Sequence, residues 1–122
     1  MFEQSYSFHF EAAHELGANV AGVDGHPYAN IHGHSFLATV TLQSDHVTEK
    51  GWIEDFATLR GHCETAQHRL DHQFLNTLPG LDRPTLEHLA QWIFNLLHPH
   101  LSALAWVEVA RPSLQEKVRY HP

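Results

Sequence analysis

From Phe2 to Glu11 the chain alternates without a break, Phe2, Gln4, Tyr6, Phe8 and Phe10 standing against Glu3, Ser5, Ser7, His9 and Glu11. Successive side chains of a strand point to opposite faces, so this pattern commits the chain to a sheet with one buried and one polar face. A second alternation sets Phe36, Ala38, Val40 and Leu42 against Ser35, Leu37, Thr39 and Thr41, and fades near Asp45. Between them, Gly17, Asn19, Gly22, Asp24, Gly25 and Pro27 make a segment too rich in breakers for a helix. Consecutive strands usually pair antiparallel. The end of the first strand, after Ala12 and Ala13, then lies beside the start of the second.

That pairing carries chemistry, because it brings His14 beside His32 and His34. Residues i and i+2 of a strand share a face about 6.5–7 Å apart, so a His-x-His is half of a metal site. With 13 histidines in 122 residues such a pair also arises by chance, and the hairpin supplies the third ligand that chance does not. Three imidazoles with no thiolate or carboxylate suit zinc with one open coordination position, the arrangement of a catalytic site. Non-haem iron more typically recruits a carboxylate, and Glu11 and Glu15 beside His14 keep that alternative open. His9 falls on the polar side of its strand and reads as an exposed or interface residue. His26 reads either as a solvated loop residue or as a fourth ligand or substrate contact.

Composition narrows the partner. The net charge is −7 with only 7 Lys and Arg, which disfavours nucleic acid and anionic membrane surfaces because both reward clustered positive charge. A small molecule or a protein fits better. No apolar run approaches the roughly 20 residues that a bilayer requires, the segment MFEQSYSFHF lacks signal-peptide order, and a single Cys offers no disulfide framework. The expectation is one cytoplasmic domain over residues 1–122.

Downstream, Asp55 reads as the N-cap of a helix with the apolar stripe Phe56, Leu59, Cys63, Ala66 and Leu70. Cys63 on that stripe reads as a small buried hydrophobe. The helix ends in Leu70, Asp71 and His72, an adjacent pair that is either surface polarity or an acid/base device. Pro84, Thr85 and Glu87 open a second helix with Leu86, Leu89, Ala90, Ile93, Leu96 and Leu97 on one face, stopped by Pro99. A third strand covers 104–110, and 116–120 supplies a short fourth. Glu108 interrupts an otherwise apolar strand, which is costly without a partner; it reads as an edge or salt-bridged residue, or as an acceptor for adjacent ligand N–H groups. Arg111 and Pro112 mark a turn.

The ordered series Phe10-Glu11-Ala12-Ala13-His14, His32-Gly33-His34-Ser35-Phe36, Asp55-Phe56, Leu70-Asp71-His72, Pro84-Thr85-Leu86-Glu87 and Glu108 resembles the 6-pyruvoyltetrahydropterin synthase family. Within it, the chain looks most like the 6-carboxytetrahydropterin synthases of the queuosine (deazapurine) pathway. The resemblance implies an α+β tunnelling fold: a four-stranded antiparallel sheet with two helices on one face, in the order ββααββ, whose subunits join into a barrel, commonly a hexamer of two trimers with sites between subunits. It implies zinc on His14, His32 and His34, Glu108 anchoring a dihydropterin ring, and Asp71 with His72 as the acid/base pair. The implied substrate is 7,8-dihydroneopterin triphosphate. The family usually carries a catalytic Cys a few residues before the His-x-His, where this chain has Tyr28. That departure leaves two further readings open: a paralogue with aldolase-type or 6-pyruvoyltetrahydropterin synthase-like chemistry, and a non-catalytic pterin- or purine-binding subunit. A triphosphate needs local positive charge, for which Lys50, Arg60, Arg69 and Lys117 are the candidates when several chains gather at one site.

Overall fold

The computed structural model describes residues 1–122. The two alternating segments form long strands, β1 (Phe2–His14) and β2 (His32–Ser44), paired antiparallel in one unbroken register from Phe2 opposite Ser44 to His14 opposite His32. Helix α1 (Phe56–Leu70) follows, then β3 (Gln73–Phe74), α2 (Leu86–Leu97), β4 (Leu104–Arg111) and β5 (Glu116–Tyr120). The sheet order is β3-β1-β2-β4-β5.

One face of the sheet carries the core. Phe8, Phe10, Phe36, Ala38, Val40, Val107 and Val109 pack beneath Leu59, Cys63, Ala66 and Leu70 of α1 and Leu86, Leu89, Ala90, Ile93, Phe94 and Leu97 of α2. At its centre the Phe10 and Phe36 rings stack at 4.9 Å. Asp55 caps the first helix as the sequence suggests, accepting from the Ala57 N–H at 2.9 Å, and at the second, expected to open at Pro84 and Thr85, the cap is Thr85, whose hydroxyl accepts from the His88 N–H at 3.2 Å. The other face stays open, with Glu3, Ser5, Ser7, His9 and Glu11 exposed along β1. No helix is long and apolar enough to cross a membrane.

The sheet departs from the expected one in having a fifth strand. His72 adopts a left-handed backbone (φ 59), which turns the chain so that Gln73 and Phe74 run parallel to β1 at Ala12 and Ala13. The sheet is therefore mixed rather than wholly antiparallel. A two-residue strand carries no alternation that a sequence could display. Because β3 covers only the end of β1, most of the outer edge of β1 is unpaired, as is that of β5.

Ile93 is fully buried between helix and sheet. Ile93→Ala is expected to lower unfolding stability by about 2–5 kcal/mol, read as a reduced urea midpoint with an unchanged m-value. A loss below about 0.5 kcal/mol, the scale of a surface change, would contradict the packing described.

Candidate metal centre

The core face of the hairpin ends in histidines. His14 sits directly across from His32, and Ala12 across from His34, so the three rings meet where β1 stops and β2 begins. Their ring centroids lie 4.6 to 5.1 Å apart. One nitrogen from each falls within 4.8 Å of the others.

Two of the rings are aimed by backbone carbonyls. His14 Nδ1–H donates to the Pro84 carbonyl at 2.9 Å, and His32 Nδ1–H to the Asn30 carbonyl at 2.8 Å. A carbonyl only accepts, so each bond places the proton on Nδ1 and leaves the Nε2 lone pair free, the arrangement that second-sphere partners impose on metal-ligating histidines. Nε2 of His14 and Nε2 of His34 are buried with no partner in the protein. Buried polar atoms are nearly always satisfied, and an ion held between the rings would account for these two. Burial, helped by neighbouring imidazoles and Arg111, holds His34 down to about 4. Burial likewise lowers His14, against the opposing pull of its bond to Pro84. Both are therefore neutral and ready to coordinate at pH 7.

The flanking carboxylates are engaged elsewhere. Glu11 lies on the open face and accepts from the Ser35 hydroxyl at 2.7 Å. Glu15 accepts from the Gly17 N–H and the Asn76 amide. Asn76 also grips the Glu15 backbone in both directions, at 2.8 and 2.9 Å, which fixes the chain just past His14. The donor set is thus imidazole alone, a set that suits zinc. His26 instead caps the 3-10 turn Pro27–Ala29, its Nδ1 accepting from the Tyr28 N–H, and His9 is exposed on the open face.

Two cavities flank the hairpin end, one on each face of the sheet, and His34 is among the lining residues of both. One, of about 300 Å³, holds Tyr28, His32, Arg111 and Glu116. Tyr28 is half exposed, its ring centroid 6.4 Å from that of His32. The other, of about 520 Å³, includes Glu11, Ser35 and His72. There Asp71 Oδ1 accepts from the Glu11 N–H at 2.8 Å while Oδ2 lies 3.0 Å from His72 Nδ1. The Glu11 bond, with help from His72, holds the Asp71 carboxyl below the usual range. The rest of His72 is exposed. Adjacent residues of a helix could not face each other, but the left-handed turn at His72 lets these two do so.

Cys63 is fully buried, and burial pushes its thiol up to about 12, so it is no nucleophile. Glu108 sits on the open face, where Arg119 contacts its Oε2 at 3.2 Å and Lys117 lies 3.8 Å from Oε1. These pairs account for the charge in the strand and keep it apart from the histidines within one chain. In the sequence Pro84 reads as a helix start and Arg111 as a turn residue, and neither of them, nor Asn76, is given a place at the site; Ala110, the neighbour of Arg111, pairs with Leu37. Arg111 consequently shares the core face with Phe36 and His34.

A one-sided sheet with three imidazoles gathered at a hairpin end marks out a candidate metal-binding protein. The family model described as 6-pyruvoyl tetrahydropterin synthase matches residues 3–121. The chain belongs to that family and is a lyase of its type. It is 38% identical over 92 residues to a 6-carboxy-5,6,7,8-tetrahydropterin synthase of Synechocystis, covering 71% of this chain and 67% of that one. It is 30% identical over 96 residues to a dihydroneopterin monophosphate aldolase of Pyrococcus furiosus, covering 79% and 75%. The solved 6-pyruvoyl tetrahydropterin synthase of Caenorhabditis elegans superimposes with a TM-score of 0.85 at 22% identity, over 99% of this chain and 95% of that one. That last likeness establishes the shared fold.

The pH dependence of the metal-free protein follows from the lowered imidazoles. An unfolded His titrates near 6.5, about the ordinary value, whereas His34 in the folded chain titrates at about 4. Between these values the unfolded state binds more protons, so this contribution to stability is complete above pH 6.5 and is lost as pH falls towards 4. Denaturant midpoints of metal-free protein should decline across that window. His34→Gln should flatten the decline, and an equal slope in the variant would contradict the assignment.

Proposed function

We propose that this protein is a zinc-dependent lyase acting on the side chain of a dihydropterin, converting 7,8-dihydroneopterin triphosphate and water to 6-carboxytetrahydropterin, acetaldehyde and triphosphate on the route to deazapurines such as queuosine. The observation that supports it most is the pair of buried, unpartnered Nε2 atoms on His14 and His34, beside a His32 whose Nδ1 is already held by a carbonyl. His14, His32 and His34 would hold the ion, and bound there zinc supplies the Lewis acidity that makes side-chain hydroxyls easier to deprotonate. The Synechocystis relative carries this activity in its name.

The residues of this chain divide the proton work. His72 offers Nε2 to the substrate while Asp71 holds Nδ1 and stabilises the imidazolium when a proton arrives. Tyr28 stands at the place of the family's thiol and presents its hydroxyl from the turn before His32. In the carbon–carbon cleavage the side-chain hydroxyl gives up its proton, the carbon that bears it departs as an aldehyde, and the electron pair of the broken bond enters the ring imine, whose enamine then takes a proton on carbon. His72 and Tyr28 are the groups available for those two transfers.

Within one chain the Asp71–His72 pair and Tyr28 open on different cavities. A homo-oligomer resolves the separation, with the pair from one subunit meeting the histidines of the next. The unpaired outer edges of β1 and β5 suit such joining, since an open edge otherwise invites uncontrolled association. A hexamer of two trimers is the assembly we propose.

A second reading is aldol cleavage of a dihydroneopterin, favoured by the Pyrococcus relative and by the absence of a reactive thiol at the centre. Zinc-loaded protein incubated with dihydroneopterin, its monophosphate, its triphosphate and sepiapterin separates the two through pterin products and acetaldehyde release. Chelation should abolish turnover, and His72→Ala should lower kcat by about 10²- to 10⁴-fold. Pterin binding with no turnover of any substrate would overturn both readings in favour of a binding subunit.

A further inference from the structure

Arg111 is a costly residue in its position. It is one of only 7 cationic Lys and Arg side chains in a chain of net charge −7, yet its side chain is just 13% exposed. Its sole ion pair runs from Nη2 to Glu116 Oε2 at 3.1 Å, and Glu116 is 44% exposed. Nε is buried with no acceptor. An ion pair with so open a partner contributes little to stability, while a buried guanidinium N–H left unpaired works against it. Folding alone gives no reason to keep a cation there.

Its surroundings do give one. Arg111 and Glu116 face each other across the β4–β5 pairing, and Arg111 lines the same 300 Å³ cavity as His32, His34 and Tyr28. The other cations do not line it, Arg119 and Lys117 being occupied with Glu108 on the open face. A neutral ligand held at the histidines would leave this guanidinium only partly compensated, by the half-open Glu116.

We propose that Arg111 is the specificity-determining residue of this cavity, binding an oxyanion, phosphate or carboxylate, carried by the ligand that the histidine centre takes. Glu116 orients the guanidinium and partly neutralises it until the ligand arrives. A planar fork of N–H donors suits such an oxyanion better than an ammonium does. The inference rests on the proposed function for the ligand and adds the residue of this chain that reads the ligand's charge.

The test is calorimetric titration of the zinc-loaded protein and its variants with neopterin, neopterin monophosphate, 6-carboxypterin and inorganic phosphate. Wild type should bind at least one anionic pterin about 10- to 100-fold more tightly than neopterin, and the stronger of the phosphate and carboxylate arms identifies the source. Arg111→Met should bring that ratio close to one and melt no lower than wild type because the unpaired N–H is gone. Glu116→Gln should keep or raise the ratio, a change that a merely structural ion pair would not produce. Retention of the ratio in Arg111→Met, or no preference in wild type, overturns the inference. If no pterin binds but inorganic phosphate does, and Arg111→Met loses it, the pterin reading falls and the role of Arg111 stands. If neither pterin nor phosphate binds wild type, both fall.

Discussion

The pairing of β1 with β2 is the constraint on which the rest depends. Its register runs unbroken over thirteen residue pairs, from Phe2 and Ser44 to His14 and His32. A slip by one residue would turn every side chain of one strand to the other face. The same slip would move Phe8 and Phe10 out of the core and His14 away from His32 and His34. Core and centre are thus specified together, and the apolar burial that fixes the register also aims the imidazoles.

Placing a centre at the margin of a core has an electrostatic consequence. Burial depresses the His14 and His34 imidazoles, so they present lone pairs rather than protons. Carbonyls from two separate loops, at Pro84 and Asn30, settle the tautomers of His14 and His32. The Asn76 side chain then ties the loop after His14 to the segment that leads into α2. Distant parts of the chain hold one small volume in place, which is what a pre-organised site requires.

Much of this was legible in the sequence because it was written in period two or in caps. The alternations of β1 and β2, Asp55 and Thr85 at the helix starts, and the face carrying Leu59, Cys63, Ala66 and Leu70 follow from local rules. So does the meeting of His14 with His32 and His34, which needs only a hairpin. The rest depended on backbone turns that local rules do not encode. The left-handed conformation at His72 creates β3 and lets Asp71 face its neighbour. Glu108 showed its charge in the sequence but not its partners, which arrive with β5. Arg111 looked like a turn residue and became a cavity wall only once β4 had a register against β2.

Whether three imidazoles form the centre is decided by zinc-edge X-ray absorption of the reconstituted protein. One zinc per chain is expected, with three nitrogen neighbours at about 2.0–2.1 Å, imidazole outer-shell scattering and one further light-atom ligand. Sulfur in the first shell, a shell dominated by carboxylate oxygen, or a spectrum unchanged by His14→Ala would contradict it.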